Sequence, residues 1–90
     1  MLVLPERLTH DDAAACGRML AQALRAIPGD RAVADASALR VFDSSALAVL
    51  LDCRREALAL GKVFSVGHMP PLLRELATLY GVAELLPHAA

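Results

Sequence analysis

Apolar residues recur at steps of three and four along three stretches of the chain, a spacing typical of helices with one buried face. Thr9 precedes the first stretch, and Asp11 and Asp12 occupy its opening turn, an arrangement that predicts a helix N-terminus. Pro28 and Gly29 predict where this helix ends. The stripe expected to face the core consists of Ala13, Cys16, Leu20, Ala23, Leu24 and Ile27.

A second helical pattern begins at Asp43, Ser44 and Ser45 and runs to about Leu60, where Gly61 stops it. A third begins at two consecutive prolines, residues 70–71, because the missing proline N–H is not needed in a first helical turn. The third helix is expected to bury one apolar stripe against the core. That stripe consists of Leu72, Leu73, Leu76, Leu79 and Tyr80.

Short apolar runs bounded by turn-forming residues separate the helices and predict strands. Strands that alternate with helices through short connections imply right-handed crossovers and a mainly parallel sheet covered by helices. With 90 residues, 57% of them hydrophobic, the chain is expected to form one α/β domain over residues 1–90. The predicted strands are residues 2–4, 31–36 and 62–66, and residues 82–87 are expected to form a short extended tail packed on the sheet.

The charge balance excludes several classes of function. The formal net charge is −1, so the basic surplus that holds a nucleic acid backbone is missing, and three aromatic residues provide no stacking platform. Charged residues interrupt every apolar run well before the roughly 20 residues that a bilayer crossing needs, so direct membrane insertion is not expected. The N-terminus does not resemble a secretion signal, and Cys16 and Cys53 lack metal or redox spacing. We therefore expect a cytoplasmic protein with two reduced core thiols.

In parallel sheets, the loops after the strands collect at one edge, where sites form. The stretch of Asp43, Ser44 and Ser45 falls at this edge, at a helix N-terminus. One interpretation is that Asp43 or Ser44 only caps the helix; the other is that the hydroxyls serve a contact or accept a phosphate. The polar residues expected along this edge are Thr9, His10, Asp35, Ser37, Asp43, Ser44 and His68.

Residues 33–37 (Val-Ala-Asp-Ala-Ser) and 41–47 (Val-Phe-Asp-Ser-Ser-Ala-Leu) resemble the STAS domain, named for sulphate transporters and anti-sigma factor antagonists. Within it, the chain is most similar to the small stand-alone subunits of the Mla phospholipid transport system of Gram-negative bacteria. Residues 79–87 look like the closing segment of that subgroup, and the resemblance covers residues 4–87. The family implies a mixed, mainly parallel sheet of about four strands with helices mainly on one face.

The resemblance also implies a function. The chain would be a non-catalytic accessory subunit, without cofactor or metal, that binds and stabilises or activates the ATPase of a phospholipid ABC transporter. It would lie on the cytoplasmic side of the inner membrane through that partner, and would meet the membrane permease only indirectly. The residues expected to contact the partner are Asp43, Ser44, Ser45, Leu47, Ala48, Val49 and His68, with Thr9 and Asp35 supporting the loop edge.

An alternative follows from the same family. In its anti-sigma factor antagonists, a partner kinase phosphorylates the serine directly after the aspartate, which corresponds here to Ser44. The family also implies a longer opening hairpin than this chain has before Thr9. An uncovered sheet edge would follow, through which the chain could self-associate.

The second helix has apolar residues at every position from 46 to 51. Leu47, with two further leucines, can face the sheet while Ala48 and Val49 point away from it. Either a neighbouring helix of the same domain or a partner's surface covers these two residues. Arg54 and Arg55 then either rim that surface or lie on a solvated face.

The histidines have no metal-ligand spacing, and no phosphate-binding glycine loop is present. A Ser44, His68 and Asp35 triad is formally possible. However, Ser44 lacks the Gly-x-Ser-x-Gly turn that exposes a nucleophile, so we do not expect an enzyme.

Overall fold

A computed structural model describes residues 1–89, in which short strands alternate with α-helices. This order confirms the α/β class predicted from the sequence. The helices are α1 (His10–Ala26), α2 (Ser45–Ala59) and α3 (Pro71–Leu79), and a single 3-10 turn spans Ala83–Leu85. The strands are β1 (Leu2–Val3), β2 (Arg7–Leu8), β3 (Arg31–Asp35), β4 (Val41–Phe42) and β5 (Val63–Gly67).

The main sheet has the order β1-β3-β5, and both of its pairings are parallel. An isolated parallel bridge from Val66 to His88 adds the C-terminal tail beside β5 as a fourth, minimal strand. Strands β2 and β4 form a separate parallel pair. The prediction of a mainly parallel sheet with about four strands is therefore confirmed. The opening strand is short, as expected, and lies at the edge of the main sheet.

The helices cover one face of this sheet. Its strands lie in chain order, so successive right-handed crossovers place every connecting helix on the same side. Side chains alternate accordingly: Ala34 and Phe64 are buried, whereas Val3 and Val63 on the opposite face are 60% and 67% exposed. One covered face and one open face agree with the layering that the STAS resemblance implies, whereas the apolar run at residues 31–36 predicts a strand covered on both faces.

Helix α1 packs on the sheet and on α2 through Cys16, Leu20 and Leu24, which are buried. Ala13 and Ile27 pack partly against the same core, but Ala23 is exposed, so its placement in the buried stripe is wrong. Ala23 occupies the border of the stripe, and the contacts of α1 with the sheet and α2 do not extend to it.

Lys62 is buried and has a structural role, although a charged residue is ordinarily expected at the surface. The strand predicted at residues 62–66 begins one residue later, at Val63, and Lys62 is only 8% exposed. Its Nζ donates hydrogen bonds to the carbonyl oxygens of Ile27, at 2.8 Å, and Gly29. Lys62 therefore closes the chain reversal after α1, where carbonyl groups have no helical partner.

The third helix differs most from its prediction. Leu73 and Ala77 are buried, and Leu76 is partly buried, but Leu72, Leu79 and Tyr80 are exposed. The tail is also not a simple extended segment, because the 3-10 turn intervenes before Leu86 becomes fully buried. The buried face of α3 thus contains fewer residues than its leucine content suggests.

Candidate functional site

Asp43 connects the N-terminal ends of α1 and α2. Its Oδ1 accepts the backbone N–H of Ser45 at 2.8 Å, and its Oδ2 accepts the backbone N–H of His10 at 3.0 Å. The first N–H groups of a helix have no partner within it, so one carboxylate satisfies one such group in each helix. These bonds, with Ser45 the larger contributor, hold the pKa of Asp43 below its ordinary value. The predicted capping role of Asp43 is confirmed.

Ser44 lies exposed in the leading turn of α2. Its backbone is already helical, at φ −62° and ψ −16°, and within residues 1–89 its side chain makes no capping hydrogen bond. The interpretation of Ser44 as the capping side chain is therefore wrong, because Asp43 fills that role from one residue upstream. Ser45 is partly buried beside it. The Ser44 hydroxyl is left on the surface, where another polypeptide or a modifying enzyme can reach it.

Thr9 supports this region by fixing the start of α1. Its backbone N–H and its hydroxyl both donate to Oδ2 of Asp12, at 3.0 and 2.9 Å, as in a capping box. Arg7 donates to the same oxygen at 3.2 Å. The Thr9 hydrogen bonds, led by its backbone N–H, lower the pKa of Asp12. The sequence predicted this N-terminus correctly.

Asp35 and His68 form a second, separate group at the ends of β3 and β5. Asp35 accepts the backbone N–H of Ser37 at 3.0 Å and its hydroxyl at 3.1 Å, and Nδ1 of His68 lies 3.4 Å from its Oδ1. The Ser37 bonds contribute most to the lowered pKa of Asp35. His68 adopts a positive φ of 55°. Among residues 1–89 no hydrogen bond links this group to Ser44, so the structure does not assemble the Ser44, His68 and Asp35 triad.

The face of α2 beyond Ser44 is mostly occupied by the chain itself. Leu47 and Val49 are 3% and 4% exposed, and only Ala48 is open to solvent. The expectation that Val49 awaits a covering surface is wrong, because α1 packs along that side of α2. Of the two interpretations, the neighbouring helix accounts for Val49, while Ala48 remains available to a partner.

Ala48 also begins a groove of about 560 Å³ between α1 and α2. Apart from Arg18, the residues of the α1 wall are small, and a Cβ added at Gly17 would meet no heavy atom within 4 Å, so the groove is open there. Arg55 lies on its rim and pairs with Asp52 at 3.1 Å, both side chains being largely solvated. The lining residues are Ala13, Ala14, Gly17, Arg18, Ala21, Ala48, Val49, Asp52, Cys53, Arg55, Glu56 and Ala59.

This groove was not predicted from the sequence, although one signal for it is present. Ala13, Gly17 and Ala21 recur every fourth residue, which places small side chains on one side of α1. Cys53 on the opposite wall is buried and free, and burial raises its pKa to about 11; Cys16 is also buried and free. The expected core position of both thiols is confirmed.

Within residues 1–89, no three His, Cys, Asp or Glu side chains come together in a way that could hold a metal ion. No helix in that part of the chain is both long enough and apolar enough to cross a bilayer. The surface around Ser44 presents an exposed hydroxyl and adjoins the groove between α1 and α2. Beside it, Asp43 accepts one backbone N–H from the start of each helix. Such a surface is suited to contact.

Comparison with known proteins agrees with this architecture. The family model described as Mlab, STAS domain, matches residues 1–87, and the chain therefore belongs to the STAS-domain family. Its fold is similar to that of an anti-sigma-factor antagonist (STAS) domain protein from Planctomyces limnophilus, with a TM-score of 0.78 and 17% sequence identity. That match covers 96% of this chain and 77% of the other. The comparison with curated protein sequences gives no match.

Proposed function

We propose that this chain is a non-catalytic accessory subunit that binds the ATPase of an ABC transporter for phospholipids and stabilises or activates it. The observation that carries the proposal is the exposed Ser44 hydroxyl at the start of α2, next to an Asp43 carboxylate that already accepts one N–H from each of the two helix ends. The family model that matches the chain, Mlab, supports the lipid-transport branch of the family. In that role the chain contributes to lipid asymmetry of the outer membrane.

The contact surface extends from Ser44 along α2. Ala48 lies one helical turn further on the same side, and Asp52 one turn beyond it, so this ridge leads directly from Ser44 into the α1–α2 groove. A partner that touches Ser44 can therefore continue along the small side chains of the groove. Leu47 and Val49 would support the ridge from inside rather than touch the partner.

The location follows from the partner. The chain would reside in the cytoplasm, held at the inner membrane by the ATPase, and would reach the permease only through it. His68 and Asp35 lie in a separate hydrogen-bonded group, so we assign them to the periphery of this contact.

An anti-sigma factor antagonist switched by phosphorylation is the second candidate, favoured by the accessibility of Ser44. A phosphate there would stand beside the Asp43 carboxylate, which already takes the N–H groups of Ser45 and His10 that could have received it. Like-charge repulsion therefore disfavours this switch relative to an unmodified contact.

Co-purification of the chain with the ABC-transporter ATPase of its own genome tests the first proposal. Ser44→Glu should abolish the complex, because it places a charge in the contact, whereas Ser44→Ala should weaken it only mildly. Gln22→Glu adds the same charge at an exposed position on α1 outside the groove and should have no effect. An ATPase that never binds the unmodified chain would refute the proposal.

Mass spectrometry of the native protein tests the second candidate. Stoichiometric phosphate on Ser44, with a Ser44→Ala variant that stays permanently bound to a kinase-type partner, would establish the switch. Unmodified Ser44 in cells together with a stable ATPase complex would exclude it.

A further inference from the structure

Helix α3 presents an apolar strip to solvent. Leu72 is 61% exposed and Leu79 is 77% exposed, and with Leu76 between them they follow the i, i+4, i+7 spacing of one helix face. Tyr80 extends the strip at 58% exposed, and Leu85 adds to it from the 3-10 turn that packs on α3. We call these five residues the α3 patch.

The α3 patch is held in a fixed shape. Leu73 and Ala77 anchor the adjoining side of α3 in the core, where both are fully buried. The Arg74 guanidinium donates to the carbonyl oxygens of Leu86 at 2.9 Å and Ala83 at 3.4 Å, and so ties the 3-10 turn to the helix. A contiguous apolar surface on a rigid support is typical of an interaction site.

The charges around the α3 patch indicate which kind of partner it can bind. Glu75 and Glu84 are the exposed charged side chains of α3 and the 3-10 turn, and both are acidic, since the only cation of these two elements, Arg74, is engaged by backbone carbonyls. An anionic lipid surface attracts basic segments and would be repelled here. A second copy that docked through the same patch would bring two more glutamates and, from these two elements, no free cation to pair with them.

We propose that the α3 patch is a second protein-docking surface, which takes an apolar segment flanked by basic residues from another polypeptide. The leucines and Tyr80 would bury the apolar side of that segment, and Glu75 and Glu84 would pair with its basic flanks. This surface is distinct from Ser44 and the groove, which lie on the α1 side of α2. The inference does not depend on the identity of the ATPase.

A basic amphipathic peptide of four Lys-Leu-Ala-Lys repeats provides a direct probe, titrated into the full chain labelled with nitrogen-15. Amide shifts should concentrate at residues 72–85, and the matched peptide of Glu-Leu-Ala-Glu repeats should not bind. Leu79→Lys should weaken binding of the basic peptide by roughly tenfold or more. Met19→Lys, at a 52% exposed position on α1, should leave it unchanged.

Several outcomes would overturn the proposal. Shifts centred on the α1–α2 groove, or equal binding of the acidic peptide, would show that the α3 patch is not selective for a basic segment. Flotation with phosphatidylglycerol vesicles that Leu79→Lys abolishes would assign the patch to lipid. A dimer in sedimentation analysis that Leu79→Lys dissociates would assign it to self-association.

Discussion

The carboxylate of Asp43 accepts the backbone N–H of His10 at 3.0 Å across 33 positions of sequence. With its other oxygen bound to the Ser45 N–H, this side chain fixes the starting points of α1 and α2 relative to each other. The exposed Ser44 lies between these two attachments. The position of the proposed contact is therefore set by one side chain that does not itself have to touch the partner.

Replacing Asp43 should destabilise the protein because two helix ends lose a hydrogen-bond acceptor at once. We expect Asp43→Ala to lower the melting temperature by about 5 °C or more, on the scale of a lost N-cap in a domain of this size. Differential scanning calorimetry provides the measurement. Asp52→Ala, which removes only a solvated i,i+3 pair with Arg55, is the control and should change little. Equal effects of the two substitutions would contradict the bridging role.

Acid should destabilise the protein through the same carboxylates. The pKa values of Asp12, Asp35 and Asp43 are lowered in the folded state by hydrogen bonds. Their contribution is therefore complete above the unfolded-state pKa of about 4 and is lost as the pH falls through the lower folded-state values. Urea denaturation at a series of pH values should show a falling midpoint below about pH 4. In Asp43→Asn the slope of that fall should be smaller, whereas an unchanged slope would exclude Asp43 as a contributor.

Lys62 should stabilise the fold despite being a buried cation. Lys62→Met keeps the aliphatic stem but leaves the carbonyls of Ile27 and Gly29 without their donor. We expect a loss of about 1–3 kcal/mol in the free energy of unfolding, measured by urea denaturation. Arg25→Met, at an exposed position near the end of α1, should fall within about 0.5 kcal/mol of the original protein.

Arg74 should control the order of the C-terminal segment. Arg74→Met removes the donors to Ala83 and Leu86, so the 3-10 turn and the Val66–His88 bridge should open more often. Hydrogen–deuterium exchange at residues 82–89 should accelerate while exchange in β3 stays slow. Glu75→Gln, beside it on the exposed surface of α3, is the control. Unchanged exchange in Arg74→Met would show that burial of Leu86 alone holds the tail.

The two thiols should be unreactive in the folded protein. Cys16 and Cys53 are buried and free, and burial raises the pKa of both thiols, that of Cys53 to about 11. The reactive thiolate is therefore scarce at neutral pH. Ellman's reagent at about pH 8 should label neither cysteine in buffer and both in concentrated urea. Rapid labelling without denaturant would mean that the α1–α2 interface opens on the timescale of the reaction.

The sequence predicts much of this fold because its signals are local. The Thr9–Asp12 capping box, the paired prolines and Gly61, which adopts φ of +73° after α2, each act within a few residues of an element's end. The outer side of α3 could not be predicted in the same way. Leu72 and Leu79 have apolar side chains at helical spacing, but whether a neighbouring element reaches them depends on how the 3-10 turn packs, which no local pattern specifies.

In the candidate site, too, local features are predictable from the sequence, whereas contacts between distant segments are not. A polar cluster before an apolar run points to Asp43 and Ser44, but the bond to His10 joins residues too distant in sequence for a local pattern to link. Val49 was misplaced because a helical pattern defines which residues share a side, without defining which side faces α1. The groove depends on Gly17 and on the small methyl side chains of its alanine neighbours, which the spacing of hydrophobic residues does not reveal.

The chain-order sheet places neighbouring residues of one strand in opposite packing environments. Phe64 and Val66 point into the helical layer, while Val63 and the partly exposed Ser65 point toward the open face. In a library with every substitution at each position, Val63 and Ser65 should tolerate most replacements, whereas Phe64 and Val66 should tolerate few. The bare face of the sheet can therefore accept new side chains while the helical layer and the Ser44 edge keep their packing.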